Sequence, residues 1–127
     1  MKVVFADTLY WIAIIKPQDP WQKAAREARS GLGNVILLTT DEVLSEFLTM
    51  LSRGGPRLRK QAANMVKAIM ENPNVRVVPQ TRDSFLKGLS LYEERSDKEY
   101  SLTDCTSMSV MKAEGLARRG PYERPPF

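Results

Sequence analysis

The chain opens on a short apolar run. Val3, Val4 and Phe5 follow one another without a polar break, which predicts a buried strand. Asp7 stands where that strand gives way to a helix over 8–15, with Trp11, Ile12 and Ile15 on one face. Pro17 and Pro20 interrupt this pattern, and an Ala-, Arg- and Glu-rich stretch predicts a second helix over 20–31, closed by Gly31 and Gly33. Residues 34–39, NVILLT, predict the second strand; they are apolar almost throughout, as a parallel strand covered on both faces should be. Thr39 and Glu42 have capping-box spacing, so a helix is expected to start near Thr40. Val43, Leu44, Phe47, Leu48 and Leu51 form its apolar stripe. Gly54-Gly55-Pro56 predicts a turn between helices, and Leu58, Ala62, Met65 and Ile69 give the next helix, 57–71, its face. Pro73 and Pro79 bound a third strand over 75–78. Phe85, Leu89 and Tyr92 mark a further helix, 94–100 a polar loop, and 103–114 a last helix ended by Gly115.

Strands that alternate with helices predict a parallel sheet with helices on both faces, an α/β fold in three α/β/α layers. The 127 residues suffice for one domain, expected over 1–116, and the composition then shifts to an irregular Arg/Pro-rich tail over 117–127. No apolar run reaches the ~18 residues of a membrane span. Asp7 interrupts the first apolar stretch and no cleavage-site pattern follows, so a soluble, cytoplasmic protein with no membrane partner is expected.

Composition narrows the chemistry sharply. There is no histidine and one cysteine, Cys105. Ser-His-Asp and Cys-His nucleophile systems, His-ligated metals, Cys-based zinc clusters and an internal disulfide are all excluded. Catalysis is left to carboxylates, lysine, tyrosine, hydroxyls or a carboxylate-bound hard metal. The net charge of +4 suits a polyanionic partner without demanding one.

Ligands of parallel α/β folds gather outside the carboxyl ends of the strands. Asp7 follows the first strand, Glu46 lies in the first turns of the helix after the second, and Asp104 lies in the first turn of the last helix. Taken singly, each has an ordinary explanation: an N-cap for Asp7, a solvated helix position for Glu46, a helix-dipole partner for Asp104, which also has capping spacing to Ser101. Asp41, Glu42, Glu93, Glu94 and Asp97 are assigned to surface or capping positions. As a set, three converging carboxylates need a proton or a cation to coexist, and Mg²⁺ or Mn²⁺ with oxygen ligands is the natural partner.

The stretches VFADTLYWIAII, LLTTDEVLSEFL and DKEYSLTDCTSMSVMKAEG, taken in order over residues 1 to about 116, resemble the PIN-domain family and within it the VapC-like toxins of toxin–antitoxin pairs. On this resemblance Asp7, Glu46 and Asp104 correspond to three of the family's metal-binding, catalytic acids, with Thr8 and Thr103 beside them as hydrogen-bond partners. It implies Mg²⁺- or Mn²⁺-dependent endonucleolytic cleavage of RNA, a cognate antitoxin as partner, and a homodimer. A catalytically inactive PIN-fold binding module is the alternative. A phosphotransfer receiver domain is a third reading, opposed by the lack of a lysine near a final strand.

The tail departs from the family. A segment resembling E-A-L-T-N-D-H-H-F, with a last strand and a fourth acid, is expected where this chain has RGPYERPPF. Arg119 through Pro126 all admit codons that, read one base forward, encode Glu-Ala-Leu-Thr-Asn-Asp-His-His, which points to a frameshift near Ala117 or Arg118. Arg124 then falls at the fourth acid's place, and Pro121, Pro125 and Pro126 oppose a strand. The last family strand is therefore expected to be missing and the activity impaired. Elsewhere, Arg53, Arg57, Arg59 and Lys60 cluster around a helix–helix turn, either as a solvated turn or as a phosphate track for RNA. Tyr10, Trp11 and Trp21 are expected to be core or interface anchors, and nothing marks Cys105 as a nucleophile.

Overall fold

A computed structural model describes residues 2–15 and 35–116. In chain order the elements are β1 (Lys2–Phe5), α1 (Thr8–Ile15), β2 (Val35–Thr40), α2 (Asp41–Met50), α3 (Gly55–Glu71), β3 (Val75–Val78), α4 (Arg82–Glu94) and α5 (Leu102–Ala113). Among the described residues the sheet has three strands in the order β1-β2-β3, all parallel. Phe5 pairs with Leu38, and Thr40 pairs with Val78. The central strand is the most enclosed: Val35, Leu37, Leu38, Thr39 and Thr40 are all buried. The α/β fold read from the alternation of strands and helices is the observed one. The expected helix over 20–31 and the tail over 117–127, with the question of its last strand, lie outside the described residues.

The core forms where α1, α2 and α3 lay their apolar faces on the strands. Val4, Tyr10, Trp11, Ile12, Val43, Leu44, Phe47, Leu51, Ala62 and Ile69 make one continuous cluster. Leu48, expected on the stripe of α2, is instead more than a third exposed, because the buried face narrows to Val43, Leu44 and Phe47. On α4, Leu89 and Tyr92 are likewise exposed, along with Leu86, while Gly88 is buried against Thr106 of α5. The third helix begins two residues before its expected start. Pro56 sits in its first turn, where the missing amide costs nothing, and Gly55 takes φ +91°, a conformation that only glycine adopts freely.

The capping of α2 also differs from the sequence reading. Thr40, not Thr39, is the N-cap, and its hydroxyl accepts from the Val43 amide at 3.1 Å. No Thr39–Glu42 box forms: Thr39 pairs with Val77 one residue inside β2, while Thr40, the strand's last residue, caps the helix. Its hydroxyl is spent inside the core on the Ala6 carbonyl.

Candidate active site

β1 ends by handing the Ala6 amide to the Leu38 carbonyl at 2.8 Å, and Asp7 follows at the end of that ladder. The Asp7 carboxylate turns toward α1, where Oδ1 accepts the Tyr10 amide at 3.1 Å. It is therefore the cap of α1, satisfying one of the amides that a helix start leaves without a partner. Thr8, next in sequence, is buried, and its hydroxyl donates to Glu46 Oε1 at 2.6 Å. A short hydroxyl-to-carboxylate bond of this kind is charge-assisted. It pins α2 to the β1–α1 corner and places one carboxylate of the sequence-predicted set beside the residue that follows another.

Asp104 occupies the first turn of α5. Its Oδ2 accepts the Ser101 amide at 3.1 Å while the Ser101 hydroxyl accepts the Asp104 amide at 3.0 Å, a reciprocal capping box. Thr103 lies beside it, half-buried. The packing of α2 against α5 links this helix to the one that carries Glu46. Among the described residues no three carboxylates or thiols surround one point as a ready metal cage, so Asp7, Glu46 and Asp104 do not stand as a closed triad. Each is held by a local donor: Asp7 by the Tyr10 amide, Glu46 by the Thr8 hydroxyl and Asp104 by the Ser101 amide. The donor set still fits a hard divalent ion: Mg²⁺ binds through one or two carboxylates and completes its shell with water and substrate phosphates. The Thr8–Glu46 contact next to Asp7 supplies oxygen ligands of that kind.

Two other acids read as surface or capping groups have more specific surroundings. Asp41 Oδ2 accepts the Gln80 amide at 2.9 Å, tying the start of α2 to the segment after β3. Glu42 is half-buried, and its Oε2 is shielded without a hydrogen-bond partner among the described residues. Burial pushes its carboxyl above the ordinary value; its own backbone amide opposes the shift, and Asp41 adds to it. The position of Glu42 one turn before Glu46 was visible in the sequence, but its burial was not.

Arg53, Arg57, Arg59 and Lys60 are all exposed around the α2–α3 turn, and Arg59 Nη1 donates to the Ser52 carbonyl at 2.9 Å, which fastens that turn. Tyr10 and Trp11 are core anchors, packed edge to face with ring centroids 5.0 Å apart. Trp21 lies outside the described residues. Cys105 is buried, and burial, reinforced by the Asp104 charge and opposed by Arg95, pushes its thiol above the ordinary value, away from the thiolate that a nucleophile needs.

The PIN domain family matches residues 4–118 of this chain. The chain is 30% identical over 114 residues to the 23S rRNA-specific endonuclease VapC20 of Mycobacterium tuberculosis, as found in strains CDC 1551 / Oshkosh and H37Rv, covering 90% of this chain and 84% of the relative. The crystal structure of Mycobacterium tuberculosis VapC20, a sarcin-ricin loop cleaving toxin, superimposes with a TM-score of 0.76 at 30% identity, covering 91% of this chain and 85% of that one. The chain belongs to the PIN-domain family, and within it resembles the VapC endonucleases.

Proposed function

We propose that this chain is a Mg²⁺- or Mn²⁺-dependent endoribonuclease of the VapC toxin type, acting in the cytoplasm as a homodimer and held in check by a cognate antitoxin. The observation that carries the reading is the 2.6 Å bond from Thr8 to Glu46, which draws an acid of α2 to the corner where Asp7 closes β1. Asp7, Glu46 and Asp104 are assigned as the metal-holding and catalytic acids, with Thr8 orienting Glu46 and Thr103 supporting Asp104. The bound ion would supply charge neutralisation at the phosphate oxygens and lower the pKa of an attacking water. The chain's own part is to keep Glu46 turned toward the site through Thr8 and to hold Asp7 at a fixed strand end. Arg53, Arg57, Arg59 and Lys60 offer exposed cations for backbone phosphates. The domain is assigned to 1–116, and Arg124 in the tail, at the place of the family's fourth acid, weakens the site relative to a chain with the reading frame restored.

The test is cleavage of an RNA carrying the sarcin-ricin loop, the structure that the VapC20 relative cleaves. Activity is expected with Mg²⁺ or Mn²⁺, is abolished by EDTA, and falls at least about 100-fold in Asp7→Asn, Glu46→Gln and Asp104→Asn, as when a group stabilising the transition state is removed. Cleavage that persists in EDTA would overturn the reading. One observation favours a second reading, an inactive PIN-fold binding module: the three acids do not stand as a closed metal cage. Under that reading the chain neither binds Mn²⁺ nor cuts RNA, but still binds its antitoxin.

A further inference from the structure

Behind Asp7 lies a buried polar relay. Trp11 and Thr39 are 3% and 0% exposed. The Trp11 indole Nε1–H donates to Thr39 Oγ1 at 3.2 Å, and the Thr39 hydroxyl donates to the Ala6 carbonyl at 2.9 Å. Ala6 is thus held from both sides by β2, its amide by the Leu38 carbonyl and its carbonyl by the Thr39 side chain. The Ala6 carbonyl belongs to the peptide group whose nitrogen is that of Asp7, so fixing it fixes the plane from which Asp7 projects. Trp11 closes the circuit. It follows Tyr10, whose amide donates to Asp7 Oδ1. The backbone before Asp7 is therefore tied to the Thr39 hydroxyl directly, and the Asp7 carboxylate indirectly, through the Tyr10 amide next in the chain to Trp11.

We infer that Thr39 and Trp11 are positioning residues for Asp7, holding its carboxylate in place to receive a divalent cation. This rests on the assignment of Asp7 to the metal site made above. The relay spends three buried polar groups on a single strand end. Such groups specify a unique geometry when fully satisfied and are costly when one partner is lost. Packing alone would be served as well by valine, which matches threonine in shape but cannot bond. Partners one step behind a metal ligand characteristically control affinity by 10–100-fold.

The experiment compares Thr39→Val, which keeps the shape and loses both bonds, with Thr39→Ser, which keeps the hydroxyl and loses a methyl. Mn²⁺ alone is titrated calorimetrically into the full chain, and amide hydrogen exchange at Tyr10 is measured beside that at Val43, an amide outside the relay. Thr39→Val is expected to bind Mn²⁺ about 10-fold more weakly and to exchange faster at Tyr10 than at Val43 relative to the parent. Thr39→Ser is expected to track the parent in both. The inference is overturned if Thr39→Val matches the parent in affinity and in Tyr10 exchange, or if Thr39→Ser is as impaired as Thr39→Val. A parent chain that does not bind Mn²⁺ defeats the metal-site reading, and the exchange data then decide the relay alone. Should Thr39→Val fail to fold, Trp11→Phe removes the indole donor together with part of the buried ring, and is held to the same two measurements.

Discussion

Thr8 and Glu46 stand 38 residues apart in the chain, yet the hydroxyl of one donates to the carboxylate of the other at 2.6 Å. Because Thr8 is buried, the bond is shielded from competing water on one side. Thr8→Val keeps the volume and removes the donor. It is expected to cost about 1.5–3 kcal/mol, the range for a hydrogen bond to a charged group. Urea unfolding should show a lower midpoint with an unchanged slope. Thr8→Ser should recover most of the loss. A Thr8→Val chain as stable as the parent would mean that the bond contributes nothing net to the folded state.

Asp104 has a structural duty that can be separated from the assigned chemical one. Ser101→Ala removes the hydroxyl that caps α5 and should cost about 0.5–2 kcal/mol. Measured well below its melting temperature, that variant should keep its RNA cleavage within a few-fold. Asp104→Asn retains an oxygen that can accept the Ser101 amide, so its stability loss should be the smaller of the two, yet cleavage should disappear with the charge. The reverse pattern, with stability lost in Asp104→Asn and cleavage retained, would reduce Asp104 to a cap.

At Gly88, α4 comes close against Thr106 of α5. A Cβ added there would lie 2.4 Å from Thr106 Oγ1 and 3.3 Å from the Thr106 Cα. Thr106 cannot swing away freely, since its hydroxyl donates to the Leu102 carbonyl at 3.0 Å. Gly88→Ala is therefore expected to destabilise the fold by about 1–3 kcal/mol through overpacking. Adding Thr106→Ala should recover part of that loss, so the two changes should not be additive. Thermal unfolding of the two single variants and the double variant measures the coupling.

Much of the architecture follows from local signals. Pro73 and Pro79 bracket a strand whose limits, Val75–Val78, are those expected, and the helix after Asp7 spans the predicted residues. The cap of α5 was visible in the spacing of Ser101 and Asp104. What local signals do not resolve is competition for the same side chain. Thr39 and Thr40 are both sound N-cap candidates. Both stay in β2 and pair with β3; what decides between them is that the Thr39 hydroxyl is taken up by the Ala6 carbonyl and the Trp11 indole, leaving the Thr40 hydroxyl to accept the Val43 amide. The exposure of Leu89 and Tyr92 likewise depends on how α4 is rotated against α5, which a helical period cannot specify. For the site, the acids could be named from position after strands and from resemblance. The Thr8–Glu46 bond and the relay through Thr39 could not, since they join residues 28 to 38 positions apart in the chain that meet only in space.

Glu42 provides the pH test. Its carboxyl is raised chiefly by burial, and its shielded Oε2 has no hydrogen-bond partner among the described residues. The native state consequently holds the Glu42 proton more tightly than the unfolded chain does. By linkage, stability falls with rising pH wherever the native state binds more protons. The contribution of Glu42 is therefore most favourable below the ordinary carboxylate value and is lost as pH climbs through the raised one. Glu42→Gln removes the charge while keeping the size. It is expected to be more stable than the parent at neutral pH and to converge with it in acid, below the ordinary glutamate range. Urea unfolding across that range measures the difference directly. If Glu42→Gln is instead the less stable chain at neutral pH, the ionised carboxylate is stabilised in the fold, and burial is not what governs its proton.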